Sequence, residues 1–287
     1  MRIDAHLHFW QPSCGFDNKP VANHEAYRRD FLPGDVKPSL VASGIDGAIL
    51  VQTAPEVAET AWLLQVARDT PWILGITGWV DLDSEECDYG ALIAEPKIVG
   101  IRAQLRRIAD PAFVAQPRVV RNLGAALQAG LNVTILAERR HYGHVASVID
   151  RLPAGPITLN HLGMLLPDAP RDEWRGAMQR FARRPGLHLQ LSGLPFLFAD
   201  RWREPDAHAV LDDALDIFGP ERLMFASDWP MLLRFADYGE WVDAVEAFLA
   251  RRALTGIEIA GIFGTNAMRA NPRLAARVRG GDRLNGE

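Results

Sequence analysis

Strand-like apolar runs and helix-like amphipathic runs alternate along the whole chain. The first strand-like run covers residues 3–9. Side chains two apart on a strand point the same way, so His6 and His8 project together from one face and Leu7 turns to the other. Residues 46–52 form a nearly continuous apolar run, the pattern of a parallel strand covered on both faces. Further strand-like runs fall at 72–80, 99–105, 132–137, 156–163, 187–193 and 223–227. Between them the spacing predicts helices over 56–69 (Val57, Ala61, Leu64, Ala67), 118–129 stopped by Gly130, 142–151, 171–183 and 206–218. Shorter helices are expected at 39–43 and 84–95, and final ones at 238–252 and 258–263. The connection 11–38, with its prolines, glycines and asparagines, is too long for a plain turn and reads as a lid or an irregular insertion.

Strict β-α alternation implies a parallel sheet, and eight such units closing on themselves make an α/β fold of the (β/α)₈ TIM-barrel type, slightly elaborated by loop insertions. A doubly wound open sheet is the alternative, but no glycine-rich phosphate turn follows the first strand. The expectation is one domain over 1–272 and a flexible, frayed tail over 273–287.

Composition narrows the class. At 287 residues and 48% hydrophobic content the chain can bury a large core, and a net charge of −5 gives no nucleic-acid surface. No apolar run approaches the roughly 18 residues of a membrane span, and no basic-then-apolar leader opens the chain. A cytoplasmic protein acting on a small molecule is expected, with no nucleic-acid or membrane partner and with self-association left open. Cys14 and Cys87 show neither knuckle spacing nor a disulfide framework, so free thiols are expected.

A barrel carries its chemistry where the strands stop. His6 and His8 stand at the first strand, Gln52 at the second and Trp79 at the third. Arg102 and Gln104 alternate on the fourth, and His141 and Tyr142 follow the fifth. His161 ends the sixth, Ser192 the seventh, and Asp228 the eighth beside Trp229. Each alone has a plain structural explanation: His161 as a core histidine, Asp228 as a cap, Arg102 as an ion-pair residue. The joint placement of His6, His8, His161 and Asp228 at strand ends is harder to dismiss.

These motifs carry a family resemblance. Asp4-Ala5-His6-Leu7-His8-Phe9-Trp10, Val51-Gln52, Gly78-Trp79-Val80-Asp81-Leu82, Val99-Gly100-Ile101-Arg102, His161-Leu162-Gly163, Leu191-Ser192-Gly193-Leu194, Met224-Phe225-Ala226-Ser227-Asp228-Trp229-Pro230 and Phe263-Gly264-Thr265-Asn266-Ala267 run in order along nearly the whole chain. The pattern resembles the amidohydrolase superfamily, in the amidohydrolase-2 branch that holds sugar-lactone hydrolases and the 2-pyrone-4,6-dicarboxylate lactonase. The sequence departs from that pattern at Asn160, where an aspartate is usual, and at Met164, where a lysine is usual. The bridging Lys or Glu of strand four and the His of strand five in binuclear members are also absent, with Arg102 in the region of the former, so a two-metal centre is not expected.

The resemblance implies a hydrolase that opens a small lactone to its hydroxy acid. Asp228 would act as general base and then acid, its pKa raised by burial against Trp229. His6, His8 and His161 would polarise the carbonyl directly or through one divalent metal, zinc first, held with Asp228; no organic cofactor is implied. Arg102 would orient the substrate, with Gln52, Trp79, Gln104, His141, Tyr142, Ser192 and Trp229 as walls. Arg102 is the one cation placed in the cup, which favours a neutral or singly charged lactone over a dicarboxylate. Two alternatives stand beside this: a metal-dependent decarboxylase of an aromatic or unsaturated acid, and a barrel that binds a small ligand without turning it over.

Overall fold

The computed structural model describes residues 1–16 and 25–280. Eight strands form one parallel sheet in sequence order: β1 (Ile3–Leu7), β2 (Gly47–Val51), β3 (Ile73–Gly78), β4 (Ile98–Gln104), β5 (Asn132–Leu136), β6 (Ile157–Leu159), β7 (Leu187–Leu191) and β8 (Leu223–Phe225). The sheet closes where the chain beyond β8 meets β1. His8 N–H donates to Trp229 O at 2.7 Å, Asp228 N–H donates to His6 O at 2.9 Å, and Leu7 and Trp229 form a parallel bridge. Closure by backbone bonds removes the open sheet edge, the outcome the alternating pattern predicts.

Helices wrap the outside: α1 (Pro33–Ala42), α2 (Val57–Arg68), α3 (Tyr89–Ala94), α4 (Pro117–Gln128), α5 (Tyr142–Ile149), α6 (Arg171–Phe181), α7 (Leu194–Phe198), α8 (Pro205–Phe218) and α9 (Tyr238–Arg251). The strands are buried, save for Gln104 at the end of β4, so the apolar continuity of β2 and β4 reflects a layer covered by helices outside and side chains inside. No helix among the described residues is long and apolar enough to cross a membrane.

Three expectations change. The helix expected at 39–43 begins at Pro33, where proline at the first position costs no hydrogen bond and Asp35 accepts from Leu32 N–H at 2.8 Å. The sixth strand, read as 156–163, stops at Leu159, and His161–Gly163 turns away as a short helical turn. The tail read as frayed from 273 instead forms a helix. After α10 (Gly256–Ala260) and α11 (Asn266–Ala270), α12 (Pro272–Arg279) lies under the amino-terminal face of the barrel. Its Arg273 donates to Ile98 O at 2.8 Å, its Arg277 to Leu74 O at 3.0 Å, and Leu274 is fully buried. Residues 281–287 lie outside the described residues, as do 17–24 of the supposed lid. The flanks of that connection are packed rather than loose. Trp10 and Phe31 exchange backbone bonds at 2.9 and 3.2 Å, and the Tyr27 hydroxyl donates to Met231 O at 2.6 Å.

The Phe263–Ala267 motif is structural. A Cβ on Gly264 would lie 2.2 Å from Met1 O, and Asn266 Nδ2 donates to Leu223 O at 2.7 Å, pinning the last helices to the start of β8. Cys14 and Cys87 are free thiols.

Candidate active site at the carboxyl end of the barrel

His6 and His8 leave β1 side by side, with their Nε2 atoms 3.1 Å apart. Asp228 Oδ1 lies 3.8 Å from His6 Nε2, 3.3 Å from His8 Nε2 and 3.7 Å from His161 Nε2. The first and last barrel strands therefore share one small buried cluster with the end of β6.

The outer nitrogens settle which imidazole atoms carry protons. His8 Nδ1 faces Val51 O at 2.6 Å, and a carbonyl can only accept, so Nδ1 is the donor. Gln190 donates through Nε2 to Ala5 O at 3.1 Å, which leaves Oε1 to accept from Asn160 Nδ2 at 2.7 Å and from His6 Nδ1 at 2.9 Å. In their neutral forms both histidines therefore turn Nε2 lone pairs towards Asp228. Burial, reinforced by the neighbouring His8 and His161, holds the pKa of His6 well below the imidazole value. Burial likewise pushes His161 down to about 4, against the pull of Asp228. Two lone pairs 3.1 Å apart repel unless a cation lies between them. His6, His161 and Asp228 offer ligand atoms within 4.8 Å of one another, and His8 Nε2 stands beside them, 3.1 Å from His6 Nε2 and 3.3 Å from Asp228 Oδ1. The donor set thus fits a divalent metal of the zinc type.

The Asp228 carboxyl departs from expectation. Burial alone would raise its pKa, but the facing His161 and His8 rings and the charge of Arg102 outweigh it and hold the group below the ordinary carboxylate range. Trp229, the supposed cause of a raised value, turns instead into an aromatic cluster, 6.0 Å from Phe9 and 5.5 Å from Phe31 between ring centres.

The local backbone is unusual. Asp228 has φ 59°, and His161, Leu162, Gly163 and Met164 have φ 50°, 51°, 68° and 59° in succession. A left-handed conformation costs a non-glycine residue about 1–2 kcal/mol, so the surroundings must impose it. At the other end Asp4 ties the strands together: its carboxylate accepts from His6 N–H at 3.1 Å, Ser227 N–H at 2.9 Å and the Tyr238 hydroxyl at 3.0 Å. Burial raises Asp4 to about 6 despite these donors.

Above the cluster opens a cavity of about 340 Å³. One side carries Arg102, Gln104, Arg106 and Arg107, and the other Trp10, Phe196, Leu197 and Met231. Arg102 is buried, donating to Gln52 O at 2.9 Å and Asn160 Oδ1 at 3.3 Å. Burial brings its pKa down to about 10, still far above neutrality. Arg106 and Arg107 correct the expectation of a single cation in the cup, since the turn directly after β4 brings both to the cavity.

Other expected walls fall elsewhere. Ser192 lies behind His161, its Oγ 2.9 Å from His161 Nδ1. Gln52 is fully buried and offers Arg102 its backbone carbonyl, while its carboxamide has no hydrogen-bond partner among the described residues. Trp79 lines an adjoining cavity of about 300 Å³ behind Arg102 and Gln104. His141 is folded into its own turn, its Nδ1 accepting from Glu138 N–H at 3.1 Å. Tyr142 lines a different, larger cavity of about 680 Å³ that meets the cup only at Met164. Trp79, His141, Tyr142 and Trp229 are thus corrected: the structure sets all four outside the cup. Sequence reading passed over Gln190 and Asp4 as parts of the site; they stand an even number of positions from Ser192 and His6, the period-2 signal that applied to them.

The barrel thus gathers His6, His8, His161 and Asp228 into a buried cluster at its carboxyl mouth, a donor set that a divalent metal would fit. The chain matches the amidohydrolase family model, Amidohydro_2, over residues 3–270, and it belongs to that family. It is 34% identical over 279 residues to an L-fucono-1,5-lactonase of Burkholderia ambifaria, covering 93% of each chain. It is 35% identical over 287 residues to an L-fucono-1,5-lactonase of Burkholderia multivorans, covering 94% of this chain and 95% of the relative. Among solved structures, an amidohydrolase from Burkholderia multivorans crystallised with bound zinc superimposes with a TM-score of 0.84 at 32% identity, covering 94% of this chain and 98% of that one.

Proposed function

We propose that this chain is a lactone hydrolase acting on a small sugar-acid lactone of the L-fucono-1,5-lactone kind, with zinc held by His6, His8, His161 and Asp228. One observation carries the reading: three imidazole Nε2 atoms converge within 3.8 Å of a single Asp228 oxygen, beneath a cavity large enough for one sugar ring. The two lactonase relatives supply the substrate class.

When bound, zinc supplies Lewis acidity for the lactone carbonyl. Asp228, ionised at neutral pH, takes a proton from the attacking water as the water oxygen adds to the carbonyl carbon. The ring C–O bond then breaks, and the carboxyl returns that proton to the departing ring alkoxide. One water is consumed and one hydroxy acid leaves. Arg102, charged and pinned at two points, orients the ring from the polar side of the cup. Trp10, Phe196 and Leu197 cover the opposite face of the ring and limit water there.

Acid release from L-fucono-1,5-lactone by the zinc-loaded protein, followed in weakly buffered solution, tests the reading. Asp228→Asn should lower kcat by at least about 100-fold with the fold retained. Near-normal turnover in that variant would remove Asp228 from its role. Carbon dioxide release from carboxylated aromatics, with sugar lactones untouched, would favour the decarboxylase instead.

A further inference from the structure

We infer that Tyr142 and Trp174 are positioning residues that together hold the left-handed turn 161–164 and so aim His161 at Asp228. The inference rests on His161 belonging to the zinc set. Of the four residues with positive φ, only Gly163 is of a type that adopts such angles freely. The turn's own bonds, Gly163 N–H to Asn160 O at 2.9 Å and Met164 N–H to His161 O at 2.8 Å, join residues three apart. A right-handed turn makes the same bonds, so they do not choose the hand.

The choice comes from outside. The Tyr142 hydroxyl, at the start of α5, donates to Gly163 O at 2.5 Å. Trp174 Nε1, in the first turn of α6, donates to Leu162 O at 2.8 Å. Two successive carbonyls are thereby tied to two different helices, which fixes both peptide planes. Inside, Gly193 leaves the room His161 needs, since a Cβ there would lie 2.6 Å from His161 Cβ. Met178 fills the space beside Gly163, where a Cβ would meet its Cε at 2.6 Å. With one carbonyl released, the non-glycine residues relax towards the right-handed region, and His161 Nε2 moves from its place 3.7 Å from Asp228. Tyr142 therefore serves the site without touching the cup.

The test compares wild type, Tyr142→Phe and Trp174→Phe, with Tyr89→Phe as control. Tyr89 is buried and also donates to a carbonyl, Asn122 O at 2.8 Å, but takes no part in the cup. Zinc dissociation constants come from competition with a chromophoric chelator; kcat, KM and Tm are measured on the same samples. The two clamp variants should bind zinc about 10–100-fold more weakly, the range for partners that orient metal ligands, with kcat lowered and KM little changed. Tyr89→Phe should lose Tm while keeping zinc affinity and kcat. Should one clamp variant fail to fold, the other still decides. Clamp variants with wild-type zinc affinity and kcat overturn the inference alone, as does a Tyr89→Phe variant that loses both to the same degree. A wild type that binds no zinc overturns the metal assignment and this inference with it.

Discussion

Gln190 does for His6 what the Val51 carbonyl does for His8: it takes the outer ring proton and turns the inner nitrogen to the centre. Replacing it with leucine keeps the volume but leaves His6 Nδ1 and Ala5 O without this partner in the buried interior. Gln190→Leu should weaken zinc binding and lower kcat by about 10–100-fold, read from a chelator competition and initial rates. An unchanged dissociation constant would mean that the His6 ring keeps its direction without an acceptor at Nδ1. At this scale the His-x-His pair was legible because a two-residue period is a property of any strand. Trp229 was misread because a neighbour in sequence is not a neighbour in direction: the residue beside Asp228 faces Phe9 and Phe31. The left-handed angles at His161 and Asp228 were hidden, since His and Asp take such angles more readily than most residues yet do so at only a small minority of positions.

Among the elements, the connection from β2 to α2 shows how a helix start serves a site. Glu59, fully buried in the first turn of α2, accepts from Thr53 N–H at 2.8 Å, Ala54 N–H at 2.6 Å and Thr53 Oγ1 at 2.5 Å. It braces the turn just past the Val51 and Gln52 carbonyls that hold His8 and Arg102. Burial raises its pKa from 4.5 to about 7 despite those donors. The native chain therefore binds this proton more tightly than the unfolded one. Below pH 4.5 both states are protonated and nothing is lost; as pH rises from 4.5 to about 7 stability falls, and above that it levels off. At about 1.4 kcal/mol per pKa unit the loss has an upper bound of about 3.5 kcal/mol. Urea unfolding of wild type and Glu59→Gln across pH 4.5–8 should show wild type losing ground to the variant through this window. Parallel pH curves would place the Glu59 proton elsewhere. Glu59 escaped the sequence reading because an acidic residue in a first turn is ordinary helix chemistry. The early start of α1 escaped it because Pro38 inside the helix reads as a boundary.

For the whole molecule, what the sequence made legible was the order of elements, and what it hid was how the ends close. Eight apolar runs alternating with helices specify a barrel whatever the loops do, and one recurrent geometry then brings residue 6 and residue 228 together. The C-terminal arginines looked like a solvated tail because charge usually marks exposure; here Arg273 and Arg277 spend their donors on carbonyls beneath β3 and β4. The same closure couples metal to stability. The proposed ligands come from β1, from the turn after β6 and from the chain beyond β8, so zinc would bridge the seam where His8 N–H meets Trp229 O. An ion bound by the native state alone stabilises it by about 2.7 kcal/mol at a hundredfold excess over its dissociation constant. At about 2 °C per kcal/mol for a chain of this size, zinc added to chelator-stripped protein should raise Tm by about 5 °C. His6→Ala should lose most of that rise while its metal-free Tm need not improve, because truncating a fully buried ring leaves a cavity and takes from Gln190 Oε1 one of its two donors. A full rise in that variant would locate the ion away from the seam and separate zinc binding from the strand ends that assemble the cup.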